Sequence, residues 1–270
     1  MHYVFEAIAI RRHTLRDIVA LTKPRITLMV ALTTACGLWL APGHVNLGYA
    51  LWAIFGTAGL VSAAGILNCW LEIDVDARMT RTAQRPLPAG RVHPDLALLV
   101  GLVTGVCSIF ALCLQVNPLT GLLGALSLFL YVGIYTPLKV RTPKALLIGA
   151  VPGAMPPLMG WTAVTSGIEP EAVCLFLVLY FWQLPHFIAI SVFRQEDYMQ
   201  AGVRVVPWVR GKRAAVVHTI VYSLLLWISS VALYSLGAAG LLYGIAACLG
   251  GGMFLYLSLT GLWQHDLIHW

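Results

Sequence analysis

Charge is scarce in this sequence. Only 10% of its 270 residues are Asp, Glu, Lys or Arg, where a soluble domain carries about a quarter. With 59% of residues hydrophobic and a mean hydropathy of +0.83, a soluble chain could not cover its own surface. A soluble class is excluded and a membrane class follows. No pair of the six cysteines, Cys36, Cys69, Cys107, Cys113, Cys174 and Cys248, has CxxC spacing, which removes zinc-ribbon and thioredoxin-type chemistry. The reading for all six is small packing residues. The N-terminus lacks a short apolar core followed by a small-residue cleavage site, so no secretory signal is read. Residues 3–20 are expected as a basic amphipathic helix lying on the membrane surface.

What fills the sequence instead is long apolar runs. Eight are of spanning length, at 25–41, 50–71, 96–114, 118–135, 145–165, 172–192, 216–236 and 239–262, given that a span takes about 20 residues. The expected fold is an all-α polytopic membrane bundle. It forms one domain over 1–270, with an interfacial segment at 1–24, a first half at about 25–135 and a second at about 145–262.

Basic residues are also missing from every second loop. None of the 17 Lys and Arg falls in 41–49, 115–117, 166–171 or the turn near Gly237. Sixteen lie in the N-terminal segment, 72–95, 136–144 and 193–215, and the seventeenth, Arg25, opens the first span on that same side. The positive-inside rule places that side and the N-terminus in the cytoplasm, for which a bacterial inner membrane is the expected setting. The formal charge of +6 is thus a topology signal, and no nucleic-acid partner is expected; the lipid bilayer is the partner.

Two loops interleave acids and amides with the bases, which topology does not require. In NCWLEIDVDARMTRTAQRPLPAGR (68–91), Asn68, Glu72 and Asp76 stand at i, i+4 and i+8. On a helix that spacing gathers one amide and two carboxylates on one face, with Asp74 off it. Acids so crowded at a membrane boundary need compensation. Mg2+ suits them, because it takes hard oxygen ligands and is held by one or two carboxylates plus substrate phosphates. Arg81 and Arg85, again four apart, are candidates to clamp a diphosphate, with Arg78 beside them. The competing reading is a helix cap with ordinary ion pairs such as Asp74 with Arg78.

The second cluster is YFWQLPHFIAISVFRQEDYMQAGVRVVP (180–207). Gln183 and His186 sit within an apolar stretch, and Arg194, Glu196, Asp197 and Tyr198 follow. An even number of intervening spans returns it to the same membrane face as the first. That arrangement fits a parallel internal repeat around a central cavity. Asp197 is a candidate for a second metal position. His186 is a candidate catalytic residue, against the alternative of a structural histidine. Lys139, Arg141 and Lys144 share that face and are candidates for diphosphate contact, against the alternative that they only set topology. His44, His93 and His218 lie near helix ends without acidic companions.

N-x-x-x-E-x-D-x-D followed by R-T-x-x-R-P-L-P-A-G-R resembles the first aspartate-rich motif of the UbiA superfamily of intramembrane prenyltransferases. LTKPRIT (21–27), YTPLKVRTP (135–143) and WQLPHF with EDYMQAG (182–202) resemble its heme-modifying branch, over residues 15 to 260. The resemblance implies transfer of a farnesyl group from farnesyl diphosphate to a vinyl group of heme b inside the membrane. It implies Asn68, Glu72, Asp74, Asp76 and Asp197 toward magnesium. It gives Arg81 and Arg85 to the phosphates, and Gln183, His186, Asp197 and Tyr198 to the second, acceptor half of the site. A downstream heme-modifying enzyme or terminal oxidase assembly is the implied consumer of the product. The chain departs from the family in two ways: it has Glu72 where many members have aspartate, and it has Gln183 and His186 where the wider superfamily has a second acidic run. The number of magnesium ions stays open. The family has nine spans against eight counted, so a truncated or divergent C-terminus is expected. A UbiA-type enzyme acting on an aromatic or quinone precursor, and a repeat-built transporter, are the competing functional readings.

Overall fold

The computed structural model describes residues 15–263. The expected surface helix therefore falls mostly outside the described residues. Its visible end, α1 (Leu15–Leu21), turns by 51° into α2 (Pro24–Leu40). Then follow α3 (Leu47–Leu71), the short α4 (Ile73–Ala77), α5 (Pro94–Gln115), α6 (Pro118–Leu138), α7 (Ala145–Thr165), α8 (Pro170–Phe193), the short α9 (Gln195–Gln200), α10 (Val206–Ser235) and α11 (Leu241–Thr260). Among the described residues seven helices are long and apolar enough to cross a membrane, or eight if the bent α1–α2 pair is one span. Each of the eight expected spans coincides with one of these helices to within a few residues; α10 is kinked at Gly211 (φ 81°, ψ 169°), and its part after the kink begins within a few residues of the expected 216.

Local chemistry places the starts. Proline occupies the first turn of α2, α5, α6 and α8, where its missing N–H costs nothing. Asn46 accepts a hydrogen bond from the Gly48 N–H, and Asn117 accepts one from the Thr120 N–H, each at 2.8 Å, capping α3 and α6. Large apolar side chains such as Leu28, Phe55, Phe110, Leu122 and Leu249 face outward and are exposed. A bilayer solvates them, and the helices satisfy their own backbone groups as lipid demands.

Within each set of four long helices, neighbours in sequence pack on one another: α2 on α3, α3 on α5, α5 on α6, then α7 on α8, α8 on α10, α10 on α11. The sets meet where α7 packs on α2 and α6. The α2–α7 crossing is tight because Gly37 and Gly160 carry no side chain. A Cβ at Gly37 would strike the Pro157 carbonyl, and one at Gly160 the Thr34 carbonyl. The loop end without basic residues is filled by a core of Leu60, Leu112, Leu123, Met155, Leu158, Met159 and Trp161. The basic end is hollow.

Candidate active site

The expected continuous helix through Asn68, Glu72 and Asp76 breaks at Glu72 (φ −109°, ψ 16°), where α3 stops and α4 begins. The three side chains still converge, because Glu72 N–H bonds Asn68 O and Asp76 N–H bonds Glu72 O across the break. All three are buried, at 3%, 4% and 1% exposure. Each is met by a base from elsewhere in the chain. Lys23 Nζ donates to Asn68 Oδ1 at 2.7 Å, Lys139 Nζ pairs with Glu72 Oε1, and Arg85 Nη1 donates to Asp76 Oδ2 at 2.7 Å. Burial works against the Arg85 charge, but the Asp76 carboxylate outweighs it and lifts the guanidinium pKa above its ordinary value.

These residues line a cavity of about 300 Å3, together with Arg81, Tyr131, Tyr135, Phe187, Ile188, Ser191 and Tyr198. The 68–85 and 187–198 stretches therefore share one pocket. Its roof is a small apolar cluster of Met79, Ala201 and Val203 backed by Val75, Val140, Tyr198 and Val205. The roof is tied by Thr80 Oγ1 donating to Asp197 Oδ1 at 3.1 Å and Arg204 N–H to Lys139 O at 3.1 Å. Burial holds the Tyr198 phenol above its ordinary pKa, so near neutral pH it is a hydrogen-bond donor rather than a base.

Arg81 and Arg85 stand on a run of turns rather than on a helix. Thr82 Oγ1 donates to Asp76 O at 2.8 Å, folding the chain back under α4, and Pro86 and Pro88 then prevent a helix from starting. Asp74, Arg78 and Arg141 lie exposed outside the cavity wall, and Asp197 sits at the roof bonded to Thr80. Gln183 is buried behind the wall, its Nε2 donating to Leu179 O at 3.0 Å and Ala150 O at 3.4 Å, which pins α8 to α7. His186 stacks on Trp182 at 5.1 Å between ring centroids. It opens into a second cavity of about 330 Å3 between α8, α10 and α11, with Ala189, Phe193, Thr219 and Ser258. At 100° per residue, 182, 186, 189 and 193 form one face of α8, and 187, 188 and 191 form the opposite face.

Three contributors were missed in the sequence. Lys23 lines the cavity from the α1–α2 bend, with a left-handed backbone (φ 54°) that a lysine rarely adopts. Its marks were its place directly before the proline that opens a span and within LTKPRIT (21–27), neither of which assigned it to the site. Tyr131 and Tyr135 enter the cavity from a π-helical segment, Phe129–Tyr135, inside α6. Thr136 Oγ1 donates to Tyr131 O at 2.8 Å and accepts from Asn68 Nδ2 at 3.2 Å, joining that segment to α3.

Residues 30–268 match the UbiA prenyltransferase family. The chain belongs to the UbiA prenyltransferase family. Among its UbiA relatives, the protoheme IX farnesyltransferase of Anaeromyxobacter dehalogenans is 46% identical over 248 residues, covering 92% of this chain and 84% of the relative. That of Myxococcus xanthus is 45% identical with the same coverage. The UbiA fold is shared with a solved digeranylgeranylglyceryl phosphate synthase, with a TM-score of 0.80 and 17% identity over 94% of this chain and 89% of that one. It is shared too with a UbiA homologue from Archaeoglobus fulgidus bound to DMAPP and Mg2+, with a TM-score of 0.72 and 16% identity over 90% and 86% of the two chains.

For a metal the donor set is the test. Among the described residues no three His, Cys, Asp or Glu side chains gather around one point. Asn68, Glu72 and Asp76 nonetheless offer one amide oxygen and two carboxylates at the cavity wall, and Glu72 Oε1, though ion-paired, is buried without a hydrogen bond. Hard oxygens of this kind, completed by phosphate oxygens, fit Mg2+.

Proposed function

We propose that this chain transfers the farnesyl group of farnesyl diphosphate to a vinyl group of heme b, with water completing the new side chain to give heme O and diphosphate leaving. The observation that carries the reading is one wall holding an amide, two carboxylates and four bases at the polar end of an apolar bundle. The similarity to protoheme IX farnesyltransferases over nearly the whole chain supports the choice of donor and acceptor.

Lys23, Arg81, Arg85 and Lys139 are proposed to take the diphosphate and to stabilise the charge that builds on it as the allylic C–O bond breaks. Fixed donors at a developing anion are worth most where water is excluded. Asn68, Glu72 and Asp76 would hold Mg2+, which would add further positive charge at the leaving group. The roof over the cavity and the lipid-facing helices keep water from the allylic cation until the vinyl carbon has attacked it. Tyr198, held as a neutral phenol, is proposed to donate to a diphosphate oxygen.

The setting is proposed to be a bacterial cytoplasmic membrane with the basic end inside, and the product is proposed to pass to a downstream heme-modifying enzyme or terminal oxidase. The test is pigment analysis of membranes containing the protein, supplied with heme b and labelled farnesyl diphosphate. A heme heavier by one farnesyl group and one hydroxyl group is expected, the water's second proton being released. Label appearing instead in an aromatic acceptor such as 4-hydroxybenzoate would reassign the acceptor.

A further inference from the structure

A third cavity, of about 110 Å3, shares Lys23, Ile26 and Tyr131 with the wall of the diphosphate cavity. The rest of its lining is almost wholly apolar, including Val30, Leu60, Val61, Leu128 and Gly153. Four helices give its depth independently. On α3, Leu60 lies eight residues beyond Asn68; on α6, Ser127 lies eight beyond Tyr135; on α7, Gly153 lies eight beyond Ala145; and on α2, Val30 lies seven beyond Lys23. At 1.5 Å per residue all four place the blind end about 12 Å inside the polar layer.

Beyond that depth the bundle is solid. Leu60, at 2% exposure, belongs both to the cavity wall and to the core cluster with Leu112 and Met159. Leu60 and Met159 converge on Gly124, where an added Cβ would lie 3.5 Å from Leu60 Cδ2 and 3.2 Å from Met159 Cε. One turn deeper than Val30, Thr34 and Gly37 of α2 meet Gly160 and Pro157 of α7 backbone to backbone. No chain can pass there without parting two helices.

An extended isoprene unit advances roughly 5 Å, four carbon–carbon bonds of about 1.5 Å in zigzag. With the first unit beside the diphosphate in the polar cavity, two more take about 10 Å of the roughly 12 Å depth, and a fourth would have to enter the core. We infer that Leu60, backed by Met159, is the stop that sets the length of the prenyl chain this enzyme accepts at three isoprene units. The inference rests on the donor reading above and adds the residue that enforces it.

The experiment measures binding of geranyl, farnesyl and geranylgeranyl thiolodiphosphates and of inorganic pyrophosphate to the full chain in detergent, alongside kcat/KM for the three diphosphates. The parent is expected to favour the 15-carbon chain over the 20-carbon chain at least tenfold. Leu60→Ala is expected to narrow that ratio at least tenfold, and Ala64→Leu, one turn nearer the diphosphate, to move the preference to 10 carbons, both with pyrophosphate affinity unchanged. If Leu60→Ala does not fold, Ala64→Leu decides alone. Parent-like length ratios in the folded variants would overturn the stop while leaving the donor reading intact. Failure of the parent to bind pyrophosphate or any thiolodiphosphate would overturn the donor reading itself.

Discussion

Asp76 is the most buried acid in the site, and its single strong partner, Arg85, keeps 29% of its side chain exposed. That asymmetry decides what Asp76→Asn does. A fully buried pair costs about 3–5 kcal/mol to break, but Arg85 can turn to water, so the stability loss is nearer 1–2 kcal/mol. The variant is expected to stay folded in membrane, eluting as the parent does in detergent, with heme O formation lost; undiminished turnover would remove Asp76 from the reaction. Lys23 bonds an amide rather than a carboxylate, so its charge is not consumed within the protein. Lys23→Met is expected to weaken pyrophosphate binding about tenfold, the worth of one charge-assisted hydrogen bond of about 1.5 kcal/mol. His186 lies on the face of α8 turned away from Lys23, Asn68 and Arg85. His186→Ala is therefore expected to leave pyrophosphate affinity within twofold of the parent. A tenfold loss would mean that the histidine reaches the diphosphate cavity.

The long helices were legible at the scale of elements because hydropathy, proline at first turns and the absence of bases from alternate loops all mark the same boundaries. The acidic wall was legible too, since spacing of four survives the break at Glu72. What pattern could not show is where the helices depart from regular geometry. The kink after Asn68 and the π-helical Phe129–Tyr135 leave composition and periodicity almost unchanged, yet they aim Glu72, Tyr131 and Tyr135. Lys23 was hidden for a related reason, because its reach to Asn68 depends on the 51° bend between α1 and α2, a tertiary feature. The opposed faces of α8 were open to a helical wheel, but which face meets which cavity depends on how α8 packs against α7 and α10. The π segment makes its own prediction, since such a segment behaves as one residue too many in an α-helix. Deleting Gly133 is expected to restore α-helical register, turning Tyr131 and Leu128 by about 100° relative to Tyr135 and Lys139. Helix content by circular dichroism should be retained while pyrophosphate affinity falls more than tenfold; retained affinity would show that the segment does not position the site.

The distribution of charge over the whole molecule makes a prediction about which way the site opens. Every Lys and Arg among the described residues lies at the end that holds the diphosphate cavity, while Glu169 and Glu171 lie at the other. Glu169 is retained there locally, accepting from Trp161 Nε1 at 2.6 Å. Basic loops are held on the cytoplasmic side during insertion, and inverting this chain would carry more than a dozen cations across the bilayer, each costing several kcal/mol in transit. By that rule the cavity lined by Lys23, Arg81, Arg85 and Lys139 is expected to open toward the cytoplasm, where a soluble diphosphate headgroup can enter, while the core of Leu60, Leu112 and Met159 fills the opposite end. Single cysteines at Arg141 and Ser166, in a background with the six native cysteines replaced, distinguish the two orientations. In intact cells a membrane-impermeant maleimide is expected to label Ser166→Cys and to reach Arg141→Cys only after permeabilisation. The reverse pattern would place the diphosphate cavity on the outer face and remove the basis for a cytoplasmic prenyl donor.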